Sequence, residues 1–206
     1  MNEFVPDNKH GAPGTIENPI IDSRLTLEKA LRPNPAFSFS PEIFERQMLL
    51  PVVYISFDGK YHEGQIVIDK ELERDVKDFF EFLLLQNFPL NTVIPIADHK
   101  YDFDDGSSMT DNNSSGFNPR YIAGTTRESN HAFGRAIDLN PFLNPFIKDG
   151  NIEPKGAIRN EEAPGTFVAG SPIVEFLKQR GWIWGGEYQS LKDYHHFEKP
   201  LSKEEK

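Results

Sequence analysis

The sequence predicts an α+β domain built on a central antiparallel sheet with flanking helices. Two observations lead there: short apolar runs outnumber helical periods, and the two kinds of element do not alternate regularly. A third is bulk: 37% of the 206 residues are hydrophobic and 17 are Phe, enough apolar mass for one real core.

The elements follow in chain order. Residues 1–45 form an N-terminal extension punctuated by Pro6, Pro13, Pro19, Pro33, Pro35 and Pro41, with one short helical stretch at 25–31. Residues 46–200 form the main domain, and 201–206 a charged C-terminal tail. The apolar run 51–57, the turn Asp58-Gly59 and a second run at 65–68 predict a hairpin. Asp69 then offers an N-cap, and Leu72, Val76, Phe79, Phe80, Leu83 and Leu84 recur at helical spacing up to residue 86. Residues 91–97 suit a buried strand, although Pro95 weakens it. The stretch 98–118 is rich in Asp, Ser, Asn and Gly and predicts a long loop, of a length often tied to function. A short strand follows at 136–139, closed by Asn140-Pro141. Ser171-Pro172 opens a second helix that Gly181 ends. Strands near 182–184 and His196 complete the domain.

Composition excludes several functions. With 32 acidic against 22 basic residues the formal charge is −10, which disfavours nucleic acid and anionic membrane surfaces as partners. No apolar run approaches the ~20 residues of a membrane span. The first residues carry no basic flank and no apolar segment, so they are not a secretory signal; a cytosolic protein, or one read after a removed leader, is expected. Zero cysteines remove disulfides, thiolate metal sites and a cysteine nucleophile. Any metal must be held by nitrogen and oxygen, and six histidines are available.

Two segments concentrate such groups: Ser129-Asn130-His131-Ala132-Phe133-Gly134-Arg135-Ala136-Ile137-Asp138 and Asp193-Tyr194-His195-His196-Phe197-Glu198. A catalytic zinc takes three protein ligands and keeps one position open, and imidazoles with one carboxylate suit it. A carboxylate outside the ligand set must accept the proton of the attacking water, and Asp193 is a candidate. Strand alternation puts His195 and His196 on opposite faces, so one of them at most should face the site. Asp193 and His196, three apart, need a turn or bulge between them to share a side. His10, His62 and His99 suit surface or hydrogen-bonded roles. Asp102 to Gly106 lacks the register and final Glu of a calcium loop, and no Gly-x-Ser-x-Gly nucleophile elbow occurs.

Ser-x-His-x-x-Gly-x-Ala-x-Asp at 129–138, paired with Asp-x-x-His-Phe at 193–197, resembles the D-alanyl-D-alanine carboxypeptidase family. That family includes VanY-type carboxypeptidases, VanX-type dipeptidases and L-alanyl-D-glutamate endopeptidases. Asp104-Asp105, Ser108-Met109, Asn140-Pro141 and Gly181-Trp182-x-Trp-Gly-Gly extend the similarity, which spans roughly residues 50–198. The resemblance implies His131, Asp138 and His196 as zinc ligands at the edge of a cleft, and Asp193 as general base. It implies Arg120 as the cation that stabilises the oxyanion, and gives Ser129 either a substrate contact or a capping role. Trp182 and Trp184 line the cleft or pack in the core.

The activity so implied is amide hydrolysis in D-residue-containing stem peptides of peptidoglycan, as D,D-carboxypeptidase or endopeptidase. A monomer acting outside the cytoplasm, its leader absent from this chain, is expected. The alternative is a non-catalytic zinc domain, as in hedgehog-type relatives of the fold, that binds wall peptide or a protein partner. A weaker alternative is an intracellular peptidase for other small peptides.

Overall fold

A computed structural model describes residues 12–37 and 40–201. His10 and the charged tail from 202 onward lie outside the described residues. The chain is mixed α and β, as the patterning predicts.

Among its described residues the N-terminal extension contains β1 (Ile20–Ile21), α1 (Leu27–Ala30) and α2 (Pro41–Glu45). It lies against the domain. β1 pairs in parallel with the second hairpin strand, and Gln65 receives Ser23 Oγ at 2.8 Å and Leu25 N at 2.6 Å. Ala30 is buried with Val67 and Phe117. The predicted helix at 25–31 is α1, capped by Thr26.

The hairpin is longer than its apolar runs suggest: β2 (Gln47–Ile55) pairs with β3 (Tyr61–Asp69) along its full length. Leu50, Val52 and Tyr54 alternate inward from β2, and Ile66 and Ile68 from β3. Asp69 ends β3 and caps the next element, accepting from Glu71 N at 2.9 Å. One 3₁₀ turn then leads into α3 (Glu73–Leu85), whose Val76, Phe79, Phe80 and Leu83 bury against the hairpin.

Of the predicted strand at 91–97 only β4 (Thr92–Val93) forms. Beyond it Asn113 replaces a strand partner: its Oδ1 accepts from Ile94 N at 3.0 Å and its Nδ2 donates to Ile94 O at 2.9 Å. The predicted loop at 98–118 contains α4 (Asp105–Thr110) and β5 (Asn113–Ser114), which pairs with β4. Polar composition hid that helix; Asp104 starts it by accepting from Ser107 N at 3.1 Å.

The remaining elements are β6 (Ala136–Asp138), β7 (Phe146–Lys148), β8 (Asn151–Glu153), α5 (Pro172–Lys178), β9 (Ile183–Trp184), β10 (Lys192–Asp193) and β11 (His196–Glu198). Ser171 caps α5 as predicted. In place of one central antiparallel sheet, the described strands divide into four small ones, ordered β1-β3-β2, β10-β7-β8, β6-β11-β9 and β4-β5. β6 is three residues long and lies between left-handed Gly134 (φ +66°) and Asn140 (φ +47°), where the backbone turns out of the extended conformation. One core joins the pieces, in which Ile137, Leu139, Trp182, Trp184 and Phe197 pack with the hairpin and α3.

Candidate metal centre

The site forms where β6, β11 and the 3₁₀ turn Asn130–Phe133 meet. Ser129 Oγ caps that turn, accepting from His131 N at 3.3 Å, and its side chain is buried; the capping role is what the structure displays. Gly134 closes the turn with a positive φ, and a Cβ there would strike the side chain of Gln47 and the Asp69 backbone. The chain then enters β6, where Ala136 and Ile137 are buried and Asp138 comes next. The antiparallel register sets His196 directly across from Asp138. Phe197 turns to the opposite face, into the core.

Three donor atoms converge. His131 Nε2 lies 3.1 Å from His196 Nδ1 and 3.1 Å from Asp138 Oδ2, and His196 Nδ1 lies 2.9 Å from Asp138 Oδ1. All three residues are nearly fully buried. Donors bound tetrahedrally at about 2.0–2.1 Å stand about 3.3 Å apart, so these separations, with one imidazole on each Asp138 oxygen, suit a zinc-sized ion after slight expansion. The outer ring nitrogens are already engaged: His131 Nδ1 donates to Gly116 O at 2.7 Å, and His196 Nε2 faces Glu198 Oε2 at 3.1 Å. Each ring therefore turns its remaining nitrogen toward Asp138. Gly116 is itself fixed, because a Cβ there would collide with Val67 O.

Without a cation, protons balance these charges. Burial opposes the imidazolium of His196, but hydrogen bonds to Asp138 and Glu198 outweigh it and raise its pKa to about 10. Burial likewise opposes His195⁺, and the charges of Asp193 and Asp138 lift it to about 9. Burial disfavours the Asp138 carboxylate, yet the surrounding histidines hold its pKa well below the usual range. Glu198, desolvated but bonded to His196, Asn130 and Tyr188, is pulled down to about 2.

The expectation that only one of His195 and His196 faces the site is corrected. Between Asp193 and His196 the chain leaves one sheet and joins another: β10 pairs with β7, whereas β11 pairs with β6. Tyr194 and His195 make that step in a turn, one of the two devices the spacing required. As a result His195 Nε2 lies 3.0 Å from Asp193 Oδ1 and 3.9 Å from Asp138 Oδ2, with Nδ1 2.7 Å from Asn144 O. Asp193 thus stands one imidazole away from the donor triangle.

Arg120 is not brought into contact with the triangle. Among the described residues its ion pair is with Asp105, at 3.1 Å, and its carbonyl accepts from Ser129 N. Trp182 and Trp184 are buried core residues, hydrogen-bonded to Asp75 and to Tyr194 O respectively. His62 is held between Asp22 and Asp58, away from the site. Sequence reasoning gave no role to His195, Glu198, Asn130 or Tyr188. Glu198 was within reach of it, since positions 196 and 198 share a strand face.

Fold and site together define a mixed α and β domain with a buried His-Asp-His group able to hold a metal ion. Residues 123–199 match the family model described as D-alanyl-D-alanine carboxypeptidase. The matched stretch contains His131, Asp138, Asp193 and His196, and begins just after Arg120. No curated protein and no solved structure matches the chain.

Proposed function

We propose that this protein is a zinc peptidase that hydrolyses amide bonds in D-residue-containing peptides of the peptidoglycan stem. One observation carries this: three buried donors converge with their outer nitrogens already committed, inside a stretch that matches a peptidase family. His131 Nε2, Asp138 and His196 Nδ1 would hold the ion. Zinc bound there supplies Lewis acidity toward a peptide carbonyl and acidifies water. Asp193 accepts the proton of the attacking water and passes it to the departing amine. His195, anchored on Asn144 O, holds the Asp193 carboxylate in place meanwhile. Arg120 is one-third exposed beside Asp105 and offers its guanidinium to the charge that develops on the carbonyl oxygen. On this reading the protein acts outside the cytoplasm, where such stem peptides are found. Among the described residues no helix is long and apolar enough to cross a membrane.

A second reading has its own observation. Both catalytic candidates are paired locally, Asp193 with His195 and Arg120 with Asp105, as a non-catalytic zinc domain that binds wall peptide would tolerate. Asp193→Ala separates the two. As an enzyme the variant keeps its zinc and loses about 10²–10⁴-fold in turnover of muropeptides followed by mass spectrometry. Wild-type protein that binds zinc yet leaves every cross-link type intact would sink the hydrolase reading.

A further inference from the structure

A metal-ligating histidine has two nitrogens, and the partner of the outer one decides which way the inner one points. His131 solves this with a backbone carbonyl, that of Gly116. His196 uses a side chain. Glu198 Oε2 stands 3.1 Å from His196 Nε2, on the same face of β11 two residues further on. The carboxylate is itself held at both oxygens: Asn130 Nδ2 donates to Oε2 at 2.6 Å, and Tyr188 Oη donates to Oε1 at 2.8 Å. It therefore cannot swing away from the imidazole without breaking two further hydrogen bonds.

We propose that Glu198 is the positioning residue of the metal centre, locking His196 with Nδ1 inward and placing a further negative charge beside the cation. The inference rests on the reading of His131, Asp138 and His196 as metal ligands. Charge supports it: with both imidazoles neutral, Asp138 alone supplies one negative charge among the ligands, and Glu198 brings the immediate total to two. Connectivity supports it as well. Asn130 is the neighbour of His131 in the 3₁₀ turn, so the Glu198–Asn130 bond ties the element carrying one ligand to the strand carrying another. Tyr188 adds the segment after β9 to the same carboxylate. One side chain thus fixes the spacing of two ligands on separate elements.

The test is zinc affinity, measured by competition with a chromophoric chelator for full-length wild type, E198A, E198Q and H131A. Removing such an outer partner weakens metal binding about 10–100-fold, so E198A should fall in that range. E198Q keeps the size and an acceptor oxygen but not the charge, and should lie between E198A and wild type. It also stands in should E198A fail to fold. The visible spectrum of the cobalt-substituted protein should shift in E198A, because the His196 ring is free to turn; a role confined to fold stability would leave that spectrum unchanged. If wild type binds zinc tightly, H131A does not, and both Glu198 variants bind within about twofold of wild type with unaltered cobalt spectra, the inference is overturned alone. If wild type itself takes up no zinc, the metal reading falls and this inference goes with it.

Discussion

Strand β11 has two faces that differ in kind. On one side Phe197 is fully buried, with its ring 5.0 Å from Phe167, 6.2 Å from Phe79 and 6.3 Å from Trp184. On the other, His196 and Glu198 sit among charges that burial penalises. The apolar face gains free energy simply by leaving water, and it fixes the register with β6. The polar face gains little, since ion pairs taken out of water largely cancel their own desolvation cost. Its arrangement is retained for what it can bind. Stability and chemistry are thus assigned to alternate residues of one short strand.

The comparison is broken most forcefully from the apolar side. Phe197→Ala should destabilise the zinc-free protein by about 3–5 kcal/mol, through lost burial and a cavity between the hairpin, α3 and β9. Chemical denaturation of the chelator-treated variant measures it, and a loss under about 1 kcal/mol would contradict the central place given to Phe197. From the polar side, Asp138→Asn keeps the shape and removes the charge. A structural zinc worth about 10–16 kcal/mol over four ligands gives about 3 kcal/mol per ligand, so zinc affinity should drop about a hundredfold or more. Chelator competition reads it directly, and near-wild-type affinity would count against Asp138 as a ligand.

The two faces also respond differently to pH. His195 and His196 are raised in the folded, zinc-free state to about 9 and about 10. Their contribution to the stability of the zinc-free protein is therefore fully present below their unfolded pKa of about 6.5, and is lost as pH rises through 9 to 10. Zinc runs the other way, because it needs the Nδ1 lone pair of His196 and must expel that proton. Between pH 6.5 and 8.5 zinc affinity should climb about tenfold per pH unit, near 1.4 kcal/mol, while the zinc-free protein loses stability. Titration calorimetry in buffers of different ionisation enthalpy should show at least one proton released per zinc bound at pH 7. Zero release would mean that His196 is already neutral there.

What was legible in the sequence follows the same division. The apolar side announced itself through periodicity: the hairpin, α3 and α5 follow from spacing alone, because burial of Leu, Ile and Phe on one face leaves a repeating pattern. The ligand trio was legible only as two motifs, since no periodicity links His131 to His196; the register of β6 with β11 joins them. Least legible was whatever depends on a side chain standing in for backbone. Asn113 completes the β4 edge, Asp104 starts a helix in a polar stretch, and the switch of sheets after Asp193 brings His195 inward. Each is a single hydrogen-bonding choice with no repeat to betray it.

Ser129 is where the two divisions meet, and it yields the smallest effect. Its hydroxyl accepts from His131 N, so it stabilises the turn that presents a ligand without touching the donor triangle. Ser129→Ala should cost about 1 kcal/mol of folding stability, the usual loss of a cap. If capping is its whole role, zinc affinity should fall less than threefold, and any loss of activity should track the loss of stability. If the hydroxyl also meets substrate, KM for muropeptides should rise in Ser129→Ala with zinc affinity and kcat held, because a contact made equally before and during reaction changes binding alone. The buried position of Ser129 and its place as cap favour the first outcome. A raised KM at unchanged stability would return it to the substrate cleft.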